Sequence, residues 1–153
     1  MQRRGRALPE NSGSGAPLVL MKKIGTLNSE LSYVISKLGH FDTLTIGDCG
    51  LPVPKGVQRI DLAVTYGVPG FWDVFKVVDE EAKFQKVTIA SESREANPDF
   101  YKKISAWAEA NQIKLDEVPH EYLKKLSASS VAVVRTGECH SYCNVVLESN
   151  VSF

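Results

Sequence analysis

Short β-branched and apolar runs alternate with helix-patterned segments along this chain, and no other feature narrows its fold as far. Leu31, Val34, Ile35 and Leu38 recur at the i, i+3, i+4, i+7 spacing of one helix face, after an N-cap signal at Asn28-Ser29-Glu30. Gly39 is the predicted left-handed residue that closes this helix, so that His40 leaves it on a fixed turn. Thr43 to Gly47 follows as a buried strand ending at Asp48, and Pro52 and Pro54 stiffen the loop beyond it. Further strands are expected at Arg59–Val64, Lys86–Ala90, Lys114–Glu117, Val131–Arg135 and Asn144–Leu147. Helices are expected at Gly70–Phe84 (Phe71, Val74, Phe75, Val78), Pro98–Gln112 (Phe100, Ile104, Trp107, Ala108) and, shorter, Pro119–Leu126. The pattern predicts a single α/β domain: three α/β/α layers around a mostly parallel, mixed central sheet. Ligands of such sheets bind at the carboxyl ends of strands, where Asp48 falls.

The first twenty residues break this pattern. Arg3, Arg4 and Arg6 precede Asn11-Ser12-Gly13-Ser14-Gly15-Ala16-Pro17, a composition that buries no core. Residues 1–20 read as an added leader or a mis-assigned start, with a native disordered extension as the alternative, and residues 21–153 as the folded domain. Without that stretch, 15 basic groups face 17 acidic ones, so no basic field recommends nucleic acid or an anionic membrane as partner. No apolar run approaches the roughly 20 residues of a membrane-spanning helix. Three cysteines without a CxxC pair suit a reduced, cytoplasmic chain.

Neither GxGxxG, the GxxxxGK[ST] phosphate loop nor HExxH occurs. Cys139-His140-Ser141-Tyr142-Cys143 offers two thiols and an imidazole, but a structural zinc site would need a fourth ligand and none stands out; buried thiols beside an exposed histidine are the simpler reading. His40 and Asp48, one past a helix and one past a strand, form a candidate proton-transfer pair. Taken singly, His40 could be a structural histidine at a helix end and Asp48 a turn cap. Tyr142 and Asn144 supply neutral donors and acceptors suited to sugar hydroxyls, against the alternative of a turn and a surface aromatic. His120 falls at a helix N-terminus, where a neutral, hydrogen-bonding imidazole is favoured over a charged one. Asp61 and Glu92 are weaker candidates, Arg94 and Glu95 belong to a solvated face, and Cys49 has no implied base to make it a nucleophile.

From Met21 to Phe153 the chain resembles the D-ribose pyranase family of small sugar mutarotases. The resemblance is carried by Met21-Lys22-Lys23, Leu27-Asn28-Ser29, Leu38-Gly39-His40, Asp48-Cys49-Gly50-Leu51-Pro52-Val53-Pro54, Arg59-Ile60-Asp61-Leu62, Gly67-Val68-Pro69, Arg135-Thr136-Gly137-Glu138 and Tyr142-Cys143-Asn144. It implies interconversion of β-D-ribopyranose and β-D-ribofuranose without cofactor or metal, with His40 as proton donor. Asp48, His120, Tyr142, Cys143 and Asn144 match its sugar-binding positions. It also implies a cytoplasmic, ring-shaped homo-oligomer, commonly a decamer, whose sites are completed by a neighbouring subunit. Cys49 and Cys143 stand where alanine is expected, and Ser141 where proline is. Two rival readings are a fucose mutarotase of the same superfamily and a ribose-binding accessory protein of a transporter that performs no chemistry.

Overall fold

The computed structural model of the chain describes residues 22–153; the leader expected over residues 1–20 lies outside the described residues. In chain order the elements are α1 (Ser29–Lys37), β1 (Thr43–Gly47), β2 (Gln58–Asp61), α2 (Phe71–Glu81), β3 (Phe84–Ala90), α3 (Ser93–Ala96), α4 (Pro98–Ala110), β4 (Lys114–Val118), α5 (His120–Ser127), β5 (Ala132–Arg135) and β6 (Val145–Ser149). The strands form one mixed sheet in the order β2-β5-β1-β6-β3-β4. Five of them run parallel, and β6 alone runs against both its neighbours, β1 and β3. One edge of the sheet therefore gathers the carboxyl ends of five strands and the amino end of β6.

Strand alternation builds two cores of unequal size. Leu44 and Ile46 of β1, Val87 and Ile89 of β3, Val134 of β5 and Val145 and Leu147 of β6 face α1, α2 and α4, where Leu31, Val34, Phe71, Phe75, Val78, Phe100 and Ile104 complete the larger core. Phe71 is fully buried, stacks on Phe75 and meets Phe100 edge-on; burying one such side chain is worth about 1.5–3 kcal/mol. Val133 and Val146 point the other way and pack with Leu51, Ala90 and Leu123 under α5 and the Pro52–Val57 loop. The three layers expected are present, and the second face is covered by one helix and a stiff loop.

Asn28 caps α1 as its spacing predicts, its Oδ1 accepting from the Leu31 N–H at 2.8 Å. Most boundaries fall within two residues of expectation, and three differ more. The helix expected through Phe84 stops at Glu81, because Ala82 is extended and the buried Phe84 opens β3. The strand expected through Val64 ends at Asp61, whose Oδ1 takes the Ala63 N–H at 3.1 Å and turns the chain out, leaving Val64 exposed. Gly39 is not the left-handed residue: α1 ends at Lys37, Leu38 is extended, and Phe41 carries the positive φ of 72°. The reversal runs instead through paired contacts, with Gly39 N–H donating to Asp42 Oδ2 and Asp42 N–H to the Gly39 carbonyl.

Candidate active site

At the carboxyl edge of the sheet, Asp48 leaves β1 directly beside Asn144, which enters β6. The Asp48 N–H donates to Asn144 Oδ1 at 2.9 Å, and Asp48 Oδ1 accepts from the Gly50 N–H at 3.0 Å. Gly47 permits this approach: a Cβ there would sit 2.5 Å from the Leu51 side chain and 2.9 Å from Asn144 Oδ1. Burial pushes the Asp48 carboxyl above its ordinary range, against the opposing pull of the Gly50 N–H, the nearby Asn144 amide, the Leu51 N–H and the His120 ring.

His120 opens α5, immediately beyond β4. Its N–H donates to both oxygens of Glu92 at 2.9 and 3.2 Å, so the carboxylate sits where the helix end favours negative charge. Its ring meets Tyr142 edge-on, centroids 5.2 Å apart. Tyr142 holds a left-handed backbone, φ 59°, a conformation that non-glycine residues adopt at a cost and that clusters at functional sites. Asn97 fastens this loop to the start of α4: Nδ2 donates to the Ser141 carbonyl at 2.9 Å and to Cys143 Sγ at 3.2 Å, while Oδ1 caps the helix at Phe100 N–H. Cys143 is buried, and burial first, with Glu138 and Asp48 adding, pushes its thiol up to about 12. Tyr142 also lines an open cleft of about 430 Å³ with Ser91, Glu92, Arg94 and Glu95.

Two buried polar atoms here, His120 Nδ1 and Asn144 Nδ2, have no well-formed hydrogen bond among the described residues. Buried polar atoms are normally satisfied, so this pair leaves hydrogen-bonding capacity unused beside one carboxylate. The edge thus brings together Asp48, His120, Tyr142 and Asn144, with Cys143 buried between the last two.

His40 is not among them. It precedes β1 while Asp48 follows it, so the strand separates the pair expected to work together, and within one chain Asp48 cannot orient the imidazole. At the opposite edge the His40 ring stacks on Phe41, centroids 3.8 Å apart and 13° from parallel, and its Nε2 lies 3.0 Å from Gln85 Oε1. Phe41, Gln85 and Asn97 were not identifiable from their own sequence neighbourhoods; only long-range pairing exposes them. Arg94, expected on a solvated face, makes a two-pronged bridge to Glu117 beside the cleft. Cys139 is exposed and Cys143 buried, while His140 pairs with Glu138 at 2.8 Å, so this cluster does not converge on a metal. Among the described residues no helix is long and apolar enough to cross a membrane.

The family model described as the RbsD / FucU transport protein family matches residues 21–152. The D-ribose pyranase of Edwardsiella ictaluri is 47% identical over 139 residues, covering 87% of this chain and 100% of the relative. That of Psychromonas ingrahamii is 45% identical over 138 residues, with the same coverage. Among solved structures, Bacillus subtilis RbsD complexed with D-ribose superposes with a TM-score of 0.82 at 39% identity, covering 87% of this chain and 100% of that one. FucU from Bifidobacterium longum shares the fold at 19% identity and a TM-score of 0.69, over 83% of this chain and 97% of that one.

Proposed function

The chain belongs to the RbsD / FucU transport protein family, and we propose from this that it is a D-ribose pyranase, interconverting β-D-ribopyranose and β-D-ribofuranose. The observation that carries the reading is the orphaned pair, His120 Nδ1 and Asn144 Nδ2, beside Asp48 and Tyr142. These groups match the alternating donors and acceptors of a sugar's hydroxyls.

Ring opening needs two proton movements. The anomeric hydroxyl loses a proton as its oxygen forms the aldehyde carbonyl, and the ring oxygen gains one as its bond to C1 breaks. Closure by the C4 hydroxyl reverses both movements and leaves the furanose, so atoms and charge balance without an oxidant or reductant. His40 donates to the ring oxygen and recovers a proton from the C4 hydroxyl on closure, solvent takes up and returns the anomeric proton, and Asp48 binds a sugar hydroxyl rather than orienting His40. His120, Tyr142 and Asn144 hold the remaining hydroxyls. Acid–base help of this kind contributes about 10²–10⁴-fold, enough for a reaction that already proceeds slowly in water.

Since β1 separates His40 from the Asp48 cluster, His40 of one subunit must meet that cluster on a neighbour. The reading therefore includes a homo-oligomer; that it is a ring-shaped decamer in the cytoplasm is what the family resemblance implies. NMR magnetisation exchange on D-ribose tests the activity: the protein should accelerate pyranose–furanose exchange, and His40→Ala should abolish the acceleration. Ribose that exchanges no faster with the folded protein than without it would refute the function. Faster exchange of fucose anomers than of ribose would move the substrate to a deoxyhexose.

A further inference from the structure

Three side chains at the amino edge of the sheet form a directed chain ending on His40. Glu148 on β6 accepts through Oε2 from Gln85 Nε2 at 2.8 Å, and its Oε1 lies 3.7 Å from Lys86 Nζ. A carboxylate only accepts, so Gln85 must turn its NH₂ toward Glu148 and its Oε1 away from it. That oxygen faces His40 Nε2 at 3.0 Å. An amide oxygen also only accepts, so the hydrogen in this contact belongs to the imidazole.

Backbone geometry serves the same end. The β3–β6 register shifts between Phe84 and Lys86, so Gln85 is the residue of a β-bulge, a device that re-aims a side chain and is frequent beside active sites. Phe41, on its left-handed backbone, lies flat against the imidazole. The ring is thus held on one face by Phe41 and on one edge by Gln85.

We infer that Gln85, oriented by Glu148, is a positioning residue that fixes His40 with Nε2 protonated and presents Nδ1 as the nitrogen that exchanges its proton with the sugar. This rests on His40 being the acid of the proposed reaction. It adds which nitrogen reacts and what selects it. In the neutral ring Nδ1 carries the lone pair; in the imidazolium it carries the transferable proton, while the Nε2–H stays committed to Gln85. One proton thus shuttles at Nδ1 with no rotation of the ring between turnovers.

Long-range ¹H–¹⁵N correlation NMR on the full chain with ¹⁵N-histidine reads the His40 tautomer directly. The expected wild-type signature is a protonated Nε2 and an unprotonated Nδ1 in the neutral ring. Gln85→Leu should bring the other tautomer into view and lower the turnover of ribose exchange by about 10–100-fold, the scale known for losing the partner that orients a metal-bound histidine. KM should stay close to that of the wild type, since the sugar-holding groups lie at the other edge. Should Gln85→Leu fail to fold, Glu148→Gln decides: it keeps the packing but lets Gln85 turn over, and should show the same tautomer mixing with a smaller loss of turnover. A wild-type His40 protonated at Nδ1 when neutral would overturn the inference while leaving the proposed activity standing. So would unchanged tautomer and turnover in the variant that folds. Full ribose exchange in His40→Ala would overturn the inference together with the role of His40, whatever the tautomer.

Discussion

Chains that each lack one half of the site should recover together the activity that neither has alone. The perturbation is a pair of variants, His40→Ala and Asp48→Asn, co-expressed with different tags and purified through both. The two residues flank β1, Thr43–Gly47. Its four residue-to-residue steps of about 3.3 Å put the strand ends about 13 Å apart before either flanking turn is counted. Proton transfer needs heavy atoms within about 2.6–3.2 Å, and a pyranose ring is only a few carbon–carbon bonds of about 1.5 Å across. With the buried strand β1 lying between them, no single sugar touches both groups of one chain. His40→Ala alone should lose about 10²–10⁴-fold in exchange rate, the acid–base contribution, and Asp48→Asn alone should lose activity through weakened sugar binding. In mixed assemblies, about one site in four pairs an intact His40 from one chain with an intact Asp48 cluster from another, since each contributor is the right one half the time. Activity should therefore return to about a quarter of wild type, measured by NMR exchange on D-ribose. Doubly purified assemblies, shown by native mass spectrometry to hold both chains yet no more active than either variant, would refute a site shared between subunits.

Asp48→Asn should also stabilise the protein. Burial holds the Asp48 carboxyl above its ordinary value of 3.8, so the folded state binds that proton more firmly than the unfolded chain does. Its contribution to stability is then full below about pH 3.8 and is lost as pH rises through the raised folded value. Calorimetry should show Asp48→Asn melting above wild type at pH 7, with the gap closing under acid; a lower melting temperature at pH 7 would contradict this. Asn97→Ala should cost about 1–2 kcal/mol in urea unfolding through the lost cap of α4. Asn97→Asp keeps an oxygen for that cap but turns a carboxylate on the Ser141 carbonyl, so it should raise the KM for ribose with a smaller change in stability. Thiol alkylation at pH 8, followed by mass spectrometry, should modify exposed Cys139 and spare Cys143, whose thiol burial pushes up to about 12, until the protein is unfolded.

Local patterns carried the elements. The Asn28 cap, the Phe71–Val78 stripe and the β-branched runs are decided by contacts within a few residues, and each appears in the fold close to where its spacing puts it. Element ends were less legible where two signals competed. Phe84 lies off the stripe of Phe71, Val74, Phe75 and Val78, so only its apolar character extends the helix signal, and its buried seat opposite Ser149 makes it the start of β3. Gly39 is the obvious left-handed residue by type, yet the pairing of Phe41 and Asp42 with Ser149 moves that conformation to Phe41.

The site divides in the same way. By itself the sequence determined which residue types could move protons and hold hydroxyls, and that Asp48 follows a strand, because those properties belong to a side chain and its immediate neighbours. The separation of eight between His40 and Asp48 also points to one site, since separation along a chain says nothing about which end of a strand a residue occupies. Tertiary structure decided that. Running β6 antiparallel between β1 and β3 places Asn144 beside Asp48 at one edge, and Glu148, one residue before the end of β6, beside Gln85 and His40 at the other. A five-residue strand is rigid and extended, so what the sequence sets close together the sheet holds apart.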